Sequence, residues 1–175
     1  MAWASNLQPD LVLEGPVIGI TPDILQQYNL KGLILDVDET LVPIKIKQVS
    51  PDVALWIEET RKLAQIWLVS NNLSETRIGN IAKELDLPYL LAAKKPSRRK
   101  LKQAAQEMGL PVKQVAMVGD RLFTDVLAGN RQGMFTILVE PMVDPAIVAR
   151  SYPIRSFEVW LSKALGVSLQ QISKN

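Results

Sequence analysis

Five short apolar runs punctuate the chain, at Leu33–Leu35, Ile66–Val69, Tyr89–Leu91, Val115–Val118 and Phe135–Val139. None alternates strictly with polar residues and each is too short for a helix, so each predicts a strand, and the first two read as buried strands. The stretches between them open on helix-start chemistry. Ser50-Pro51-Asp52 begins a helix to about Ala64, with Val53, Trp56, Ile57 and Leu63 available for one face. Ser74 caps a second helix from about Glu75 to Leu85. A basic third runs from about Ser97 to Met108 and stops at Gly109, and a fourth ends near Arg131 before Gly133. Leu41 to Val49 alternates enough for a small hairpin or flap. Strands alternating with helices of this length predict an α/β fold, a doubly wound parallel sheet with helices on both faces.

The flanks are less regular. Residues 1–30 read as an entry arm, with apolar scraps at Leu11-Val12-Leu13 and Val17-Ile18 and a short helix opened by Thr21-Pro22-Asp23 and running to about Tyr28. Trp3 is expected to pack on the body, with an interfacial anchor as the alternative. In the tail, residues 141–175, Phe157, Trp160, Leu161 and Leu165 fall on one face of a helix. With a core at 31–140 and no repeat or linker, residues 1–175 are expected to form one domain.

Composition narrows the chemistry mainly by what it lacks. At 175 residues, 47% hydrophobic and 22% charged, the chain is ordinary for a soluble globular protein, and a net charge of +2 offers no field for nucleic acid. No apolar run approaches the roughly 18 residues of a membrane span, and no leader is visible, so work in the cytosol or at the inner surface of a membrane is expected. His and Cys are both absent. That removes thiol nucleophiles, Ser-His-Asp triads and imidazole metal sites. A metal would need oxygen ligands, which points first to Mg²⁺.

The remaining polar residues of interest stand at strand exits, where parallel sheets place their sites. Asp36 and Asp38 follow the first run, and in an extended chain residues two apart project to one face. Ser70, in Ser70-Asn71-Asn72, follows the second. Lys95 follows the third, and Gly119-Asp120 through Asp125 the fourth. Singly, each has an ordinary explanation: an acidic turn, a turn bonding its own backbone, a solvated lysine pair, a helix cap. Jointly they would be four unrelated accidents at one edge of one sheet.

This set, spanning Lys31 to Val139, resembles the haloacid dehalogenase superfamily of phosphotransferases. Asp36-Val37-Asp38-Glu39-Thr40 is similar to its first motif, Ser70 to its second, Lys95 to its third and Gly119-Asp120 with Asp125 to its fourth. A receiver domain also sets acids and a lysine on a parallel sheet but would not present this Asp-x-Asp-x-Thr first. The resemblance is closer still to the capless, YqeG-like group that includes phosphatidylglycerophosphate phosphatases. The arm Leu11 to Lys31, the Gly119–Asp125 stretch, Gly129-Asn130-Arg131, and Arg155 with Glu158 carry it. Arg121 departs from the glutamine common there.

The resemblance implies roles. Asp36 would be the nucleophile and Asp38 the acid/base. Mg²⁺ would be held by Asp36, Asp38 through its backbone carbonyl, and Asp120, with Asp125 in support. Ser70 and Lys95 would hold phosphoryl oxygens, with Thr40 and Asn71 as further phosphate-site residues. About thirty residues separate Asp38 from Ser70 and about twenty-five separate Ser70 from Lys95, too few for a large cap domain. An open site suits a large phosphorylated substrate. Lys94, Lys95, Arg98, Arg99, Lys100 and Lys102 form a basic cluster that is either a solvated helix face or an attraction for an anionic phospholipid. The expected activity is hydrolysis of phosphatidylglycerophosphate to phosphatidylglycerol. The alternatives are a phosphatase for a phosphoprotein, a nucleic-acid end or a soluble phosphoester, and a non-catalytic RNA- or membrane-binding module. The intact acids argue against the last.

Overall fold

Six strands lie parallel in one sheet in the order β1-β6-β5-β2-β3-β4. They are β1 Leu11–Val12, β2 Gly32–Leu35, β3 Gln65–Val69, β4 Tyr89–Leu90, β5 Val115–Gly119 and β6 Phe135–Leu138. The helices are α1 Pro22–Gln27, α2 Pro51–Thr60, α3 Glu75–Leu85, α4 Arg99–Met108 and α5 Leu127–Gln132. This computed structural model describes residues 4–142 and, in the tail, Ala164, Gly166 and Val167. Trp3, Arg155, Glu158 and the apolar face of Phe157, Trp160, Leu161 and Leu165 lie outside the described residues.

The central strands show why the sequence predicts burial on two sides. In β2, Leu33 and Leu35 join one apolar cluster and Ile34 the other, and β5 divides likewise, with Ala116 and Val118 opposite Val115 and Met117. All three β2 side chains are fully buried, each contributing roughly 2 kcal/mol by leaving water. Ser50 and Ser74 cap α2 and α3 by accepting from Val53 N and Arg77 N, and Gly109 and Gly133 close α4 and α5. Only α2 and a loop join β2 to β3, and only α3 joins β3 to β4. No cap domain stands among the described residues.

Three local expectations are corrected. Leu41 to Val49 forms no hairpin. Leu41 N and Val42 N both donate to Val37 O, at 2.9 and 3.2 Å, and Glu39 takes φ +65°. The chain therefore curls back at once, and Pro43, with no N–H to give, does not extend a ladder. Helix α2 ends at Thr60 rather than Ala64, which leaves Leu63 49% exposed. Leu11-Val12 is not a scrap but the edge strand β1, paired in parallel with Ile137 and Leu138.

The entry arm is stitched to the sheet by polar groups as well as by Leu7, Val17, Ile20 and Leu25, all buried. Asn130 Nδ2 donates to Asn6 O and Gln8 O, each at 2.8 Å. Asp10 accepts from Thr136 N at 2.8 Å, and the indole N–H of Trp56 donates to Ile20 O at 2.9 Å. A side chain at Gly129 would put its Cβ 2.6 Å from Thr136 and 2.8 Å from Met117, so glycine is needed for α5 to lie this close to β5 and β6.

Candidate active site

The exits of β5, β2, β3 and β4, neighbours in the sheet, bring the acids, Ser70 and Lys95 to one place. Lys95 is almost fully buried. Its ammonium donates to Asp36 Oδ1 at 2.7 Å and to Val69 O at 3.0 Å. It also lies 2.7 Å from Asp125 Oδ1, an ion pair without the direction of a hydrogen bond, so this buried oxygen has no hydrogen-bond donor among the described residues.

Asn71 fixes the Lys95 backbone, accepting from Lys95 N at 2.7 Å and donating to Lys95 O at 3.2 Å. Ser70 is buried, and its hydroxyl accepts from Asn72 N at 3.0 Å. The turn reading and the site reading of Ser70 thus describe the same side chain. Thr40 is wholly buried, and its hydroxyl donates to Asp120 Oδ1 at 3.3 Å. It braces a carboxylate rather than lining the cleft.

Asp125 reaches the cluster because Leu122–Val126 winds as a π-turn, in which Asp125 N and Val126 N both donate to Arg121 O. Its carboxylate fills the space over Gly119, where a Cβ would stand 2.2 Å from Asp125 Oδ2. The glycine before Asp120 is what lets Asp125 in.

Asp36, Asp120 and Asp125 are all buried, and their carboxylate oxygens can lie within 4.8 Å of one another. Burial raises the Asp36 pKa to about 6, Lys95 opposing the rise and Asp125 adding to it. Burial likewise raises Asp120 to about 6, with Asp36 adding to it, and Asp125 is shifted upward for the same chief reason. Burial works against the charge on Lys95, but Asp125 and Asp36 outweigh it and raise the lysine's pKa. One buried cation, paired with Asp36 and Asp125, therefore serves a cluster of three buried carboxylates, and the deficit is positive charge. A divalent ion that prefers oxygen ligands fits that donor set and the undonated Asp125 oxygen.

Asp38 sits differently. Its side chain is 18% exposed; Arg77 Nε donates to Oδ1 at 2.9 Å and Asn72 Nδ2 to Oδ2 at 2.8 Å. Arg77 also donates to Pro43 O and Ile46 O, so one guanidinium ties the acid to the curled loop. Sequence reasoning missed both partners. Nothing in the sequence singles out Arg77, and Asn72 reads there only as part of a turn.

Asp36, Asp38, Ser70, Asn71 and Lys95 line a cleft of about 130 Å³, with Arg121, Thr124 and Ile44 added to the expected set. Of the basic cluster, Lys95 alone is drawn into it. Lys94, Arg98, Arg99 and Lys102 remain exposed and Lys100 half-buried.

Comparison with known proteins agrees with this geometry. Residues 92–150 match the model of the HAD-hydrolase-like family. The probable phosphatase YqeG of Bacillus subtilis is 37% identical over 127 residues, covering 72% of this chain and 73% of that protein. Phosphatidylglycerophosphate phosphatase 1 of Arabidopsis thaliana is 27% identical over 157 residues, covering 82% of this chain but only 45% of its own length. Among solved structures, a cobalt-bound deoxy-D-mannose-octulosonate 8-phosphate phosphatase of Haemophilus influenzae superposes with TM-score 0.51 at 16% identity, covering 79% of this chain and 91% of that one. An uncharacterised Listeria monocytogenes protein gives TM-score 0.53 at 14% identity, covering 77% and 99%. The acids at the strand exits, the capless sheet and the Bacillus relative converge: the chain belongs to the haloacid dehalogenase superfamily, among its YqeG-like phosphatases.

Proposed function

We propose that this chain hydrolyses a phosphomonoester through an aspartyl-phosphate on Asp36, and that its substrate is phosphatidylglycerophosphate. The observation that carries the first part is the pairing of Asp36 with Lys95. A buried lysine holds one carboxylate oxygen at 2.7 Å and leaves the other for attack on phosphorus. The bond to the leaving oxygen breaks as the Asp36 acyl phosphate forms, and water then cleaves that mixed anhydride, dividing one difficult step into two. Asp38 protonates the leaving alcohol and later takes the proton of the attacking water. Both its oxygens are engaged in the resting structure, so one of those bonds is exchanged for the substrate during transfer. The Ser70 hydroxyl, Asn71 and Lys95 meet the phosphoryl oxygens, whose charge needs fixed donors throughout.

Asp36, Asp120 and Asp125, with the Asp38 carbonyl, would hold Mg²⁺. Bound there, the ion would supply positive charge against the phosphoryl group and the three carboxylates.

The lipid substrate rests on three supports: the Arabidopsis phosphatidylglycerophosphate phosphatase related to this chain, the uncapped site, and the exposed cations beside it. Among the described residues no helix is long and apolar enough to cross a membrane, so the lipid would be met at a bilayer surface. The deciding experiment measures phosphate release with Mg²⁺ from phosphatidylglycerophosphate vesicles, a phosphopeptide, a 5′-phosphorylated oligonucleotide and p-nitrophenyl phosphate. A kcat/KM highest on the vesicles by tenfold or more is expected. Preference for any other substrate refutes the lipid assignment, and no release from any of them refutes the phosphatase reading.

A further inference from the structure

The reaction cleft, at about 130 Å³, has room for a phosphoryl group and little more, so the rest of any substrate must lie beyond it. A larger cavity of about 400 Å³ adjoins it, the two sharing Ile44. This volume falls in the range of small-molecule pockets. Lys45 and Lys47, from the loop after β2, stand on one wall. Ser74, Thr76, Arg77 and Asn80, from the start of α3, stand on the other. Arg77 joins the two spaces physically, since it lines the larger cavity and grips Asp38 of the smaller one at 2.9 Å.

The charges in this cavity are not equivalent. The Arg77 guanidinium is spent on Asp38 and two backbone carbonyls. Lys45 and Lys47 are exposed and form no ion pair among the described residues. The first turn of α3 adds the positive end of its dipole and two hydroxyls. The lining thus offers two uncommitted cations and neutral donors, one side chain away from the reacting acid.

We propose that this cavity is a second anion subsite, which takes the non-reacting phosphate of a substrate carrying two phosphate groups and so sets specificity. The proposal rests on the phosphatase reading above and extends it. The monoester enters the small cleft, and a phosphate a short polyol away reaches Lys45 and Lys47. In phosphatidylglycerophosphate that second group is the phosphodiester, separated from the monoester by one glycerol. A soluble bisphosphate offers the same chemistry.

The test compares the wild type with the Lys45→Gln/Lys47→Gln double variant, both changes lying at exposed positions that leave the core untouched. Three substrates are used: dihexanoyl phosphatidylglycerophosphate below its micelle concentration, propane-1,3-diol bisphosphate, and p-nitrophenyl phosphate. The expected result is a fall of at least tenfold in kcat/KM for a two-phosphate substrate relative to p-nitrophenyl phosphate, carried by KM. A fall with the lipid alone identifies the lipid headgroup as the source of the second anion. A fall with both substrates identifies a subsite for any nearby phosphate. An unchanged ratio overturns the proposal while leaving the phosphatase reading intact.

Glycerophosphoglycerol, which carries the phosphodiester but no monoester, tests the cavity without turnover. Calorimetric titration should show binding that weakens at least fivefold in the double variant. Equal affinity in both proteins, or none in the wild type, overturns the subsite. No hydrolysis of any substrate by the wild type would instead count against the phosphatase reading, with the titration still deciding the subsite.

Discussion

Asp36 and Asp38 stand two residues apart at the exit of β2 and line the same cleft, yet they belong to two different environments. Asp36 faces inward, against a buried lysine and two further buried carboxylates from the β5 side of the sheet. Asp38 sits at the half-open rim, held by Arg77 and Asn72 from the β3–α3 connection. The division comes from the backbone. Val37 O captures two successive N–H groups and turns the chain just after Asp36, so each acid meets a different set of side chains. One acid is fixed in place by burial and kept charged by Lys95, whereas the other is held by bonds that water and substrate can replace. An attacking group gains from the first setting and a proton carrier from the second.

The sharpest way to break this pairing is Asp36→Asn. The change is nearly isosteric, so the chain should stay folded by circular dichroism while kcat falls by about a thousandfold or more, because the attacking oxygen is lost. Substantial residual turnover would remove Asp36 as nucleophile.

Lys95→Met should cost stability as well as activity. It strips from Asp36 and Asp125 the one buried cation that pairs with them among the described residues, and breaking a buried pair by removing one partner costs about 3–5 kcal/mol. Urea unfolding at pH 8 should show this loss, and it should shrink at pH 5, below the raised pKa of Asp36. A variant as stable as the wild type at pH 8 would mean that the Asp36 and Asp125 contacts are not held by charge.

Arg77→Met tests the other half of the comparison. With its rim contact cut, Asp38 loses its orientation but not its carboxylate, so kcat should drop by about tenfold to a hundredfold. The Arg77 and Asp38 side chains are only 15% and 18% exposed and Arg77 also bonds Pro43 O and Ile46 O, so stability should fall as well, by roughly 2–4 kcal/mol. A loss equal to that of Asp36→Asn would place Arg77 in direct contact with the reacting phosphate.

The smallest effect is a pH-linked one. Folded Asp36 and Asp120 bind protons up to about pH 6, against an ordinary 3.8, so between roughly pH 4 and 6 the folded chain holds more protons than the unfolded one. Their contribution to stability is present below pH 4 and lost as pH rises through 6. A divalent ion answers the same charge deficit, so Mg²⁺ should raise Tm by a few degrees at pH 7.5 and by much less at pH 5, in thermal scans against chelator. Equal shifts at both pH values would locate the ion elsewhere.

The inner half of this comparison was legible in the sequence, and the outer half was not. Continuous apolar runs ending in Asp36, Ser70 and Asp120 state both the strand and its exit, because burial on two faces leaves no polar position until the strand stops. Lys95 was legible by its strand exit and by resemblance; taken singly it reads with Lys94 as a solvated pair, and the difference is the grip of Asn71 on its backbone. Arg77 and Asn72 gave no local signal, since their importance lies in a carboxylate more than thirty residues earlier in the chain. Leu11-Val12 failed for the same reason. A two-residue strand is defined by its partner, and that partner is β6, at the far end of the described core.

That short strand has a consequence for how the molecule behaves among copies of itself. A β6 without β1 would present a row of unpaired N–H and C=O groups, beside Ile137 and Leu138, along an open flank of the sheet, and such a row is a template for another chain. Asp10, through Thr136, and Asn130, through Asn6 and Gln8, hold a two-residue peptide over it by polar contacts. In that position the arm works as a built-in competitor against aggregation. Its grip should loosen when Asn130 is replaced by Ala, long before the acids at the other end of the strands notice the change.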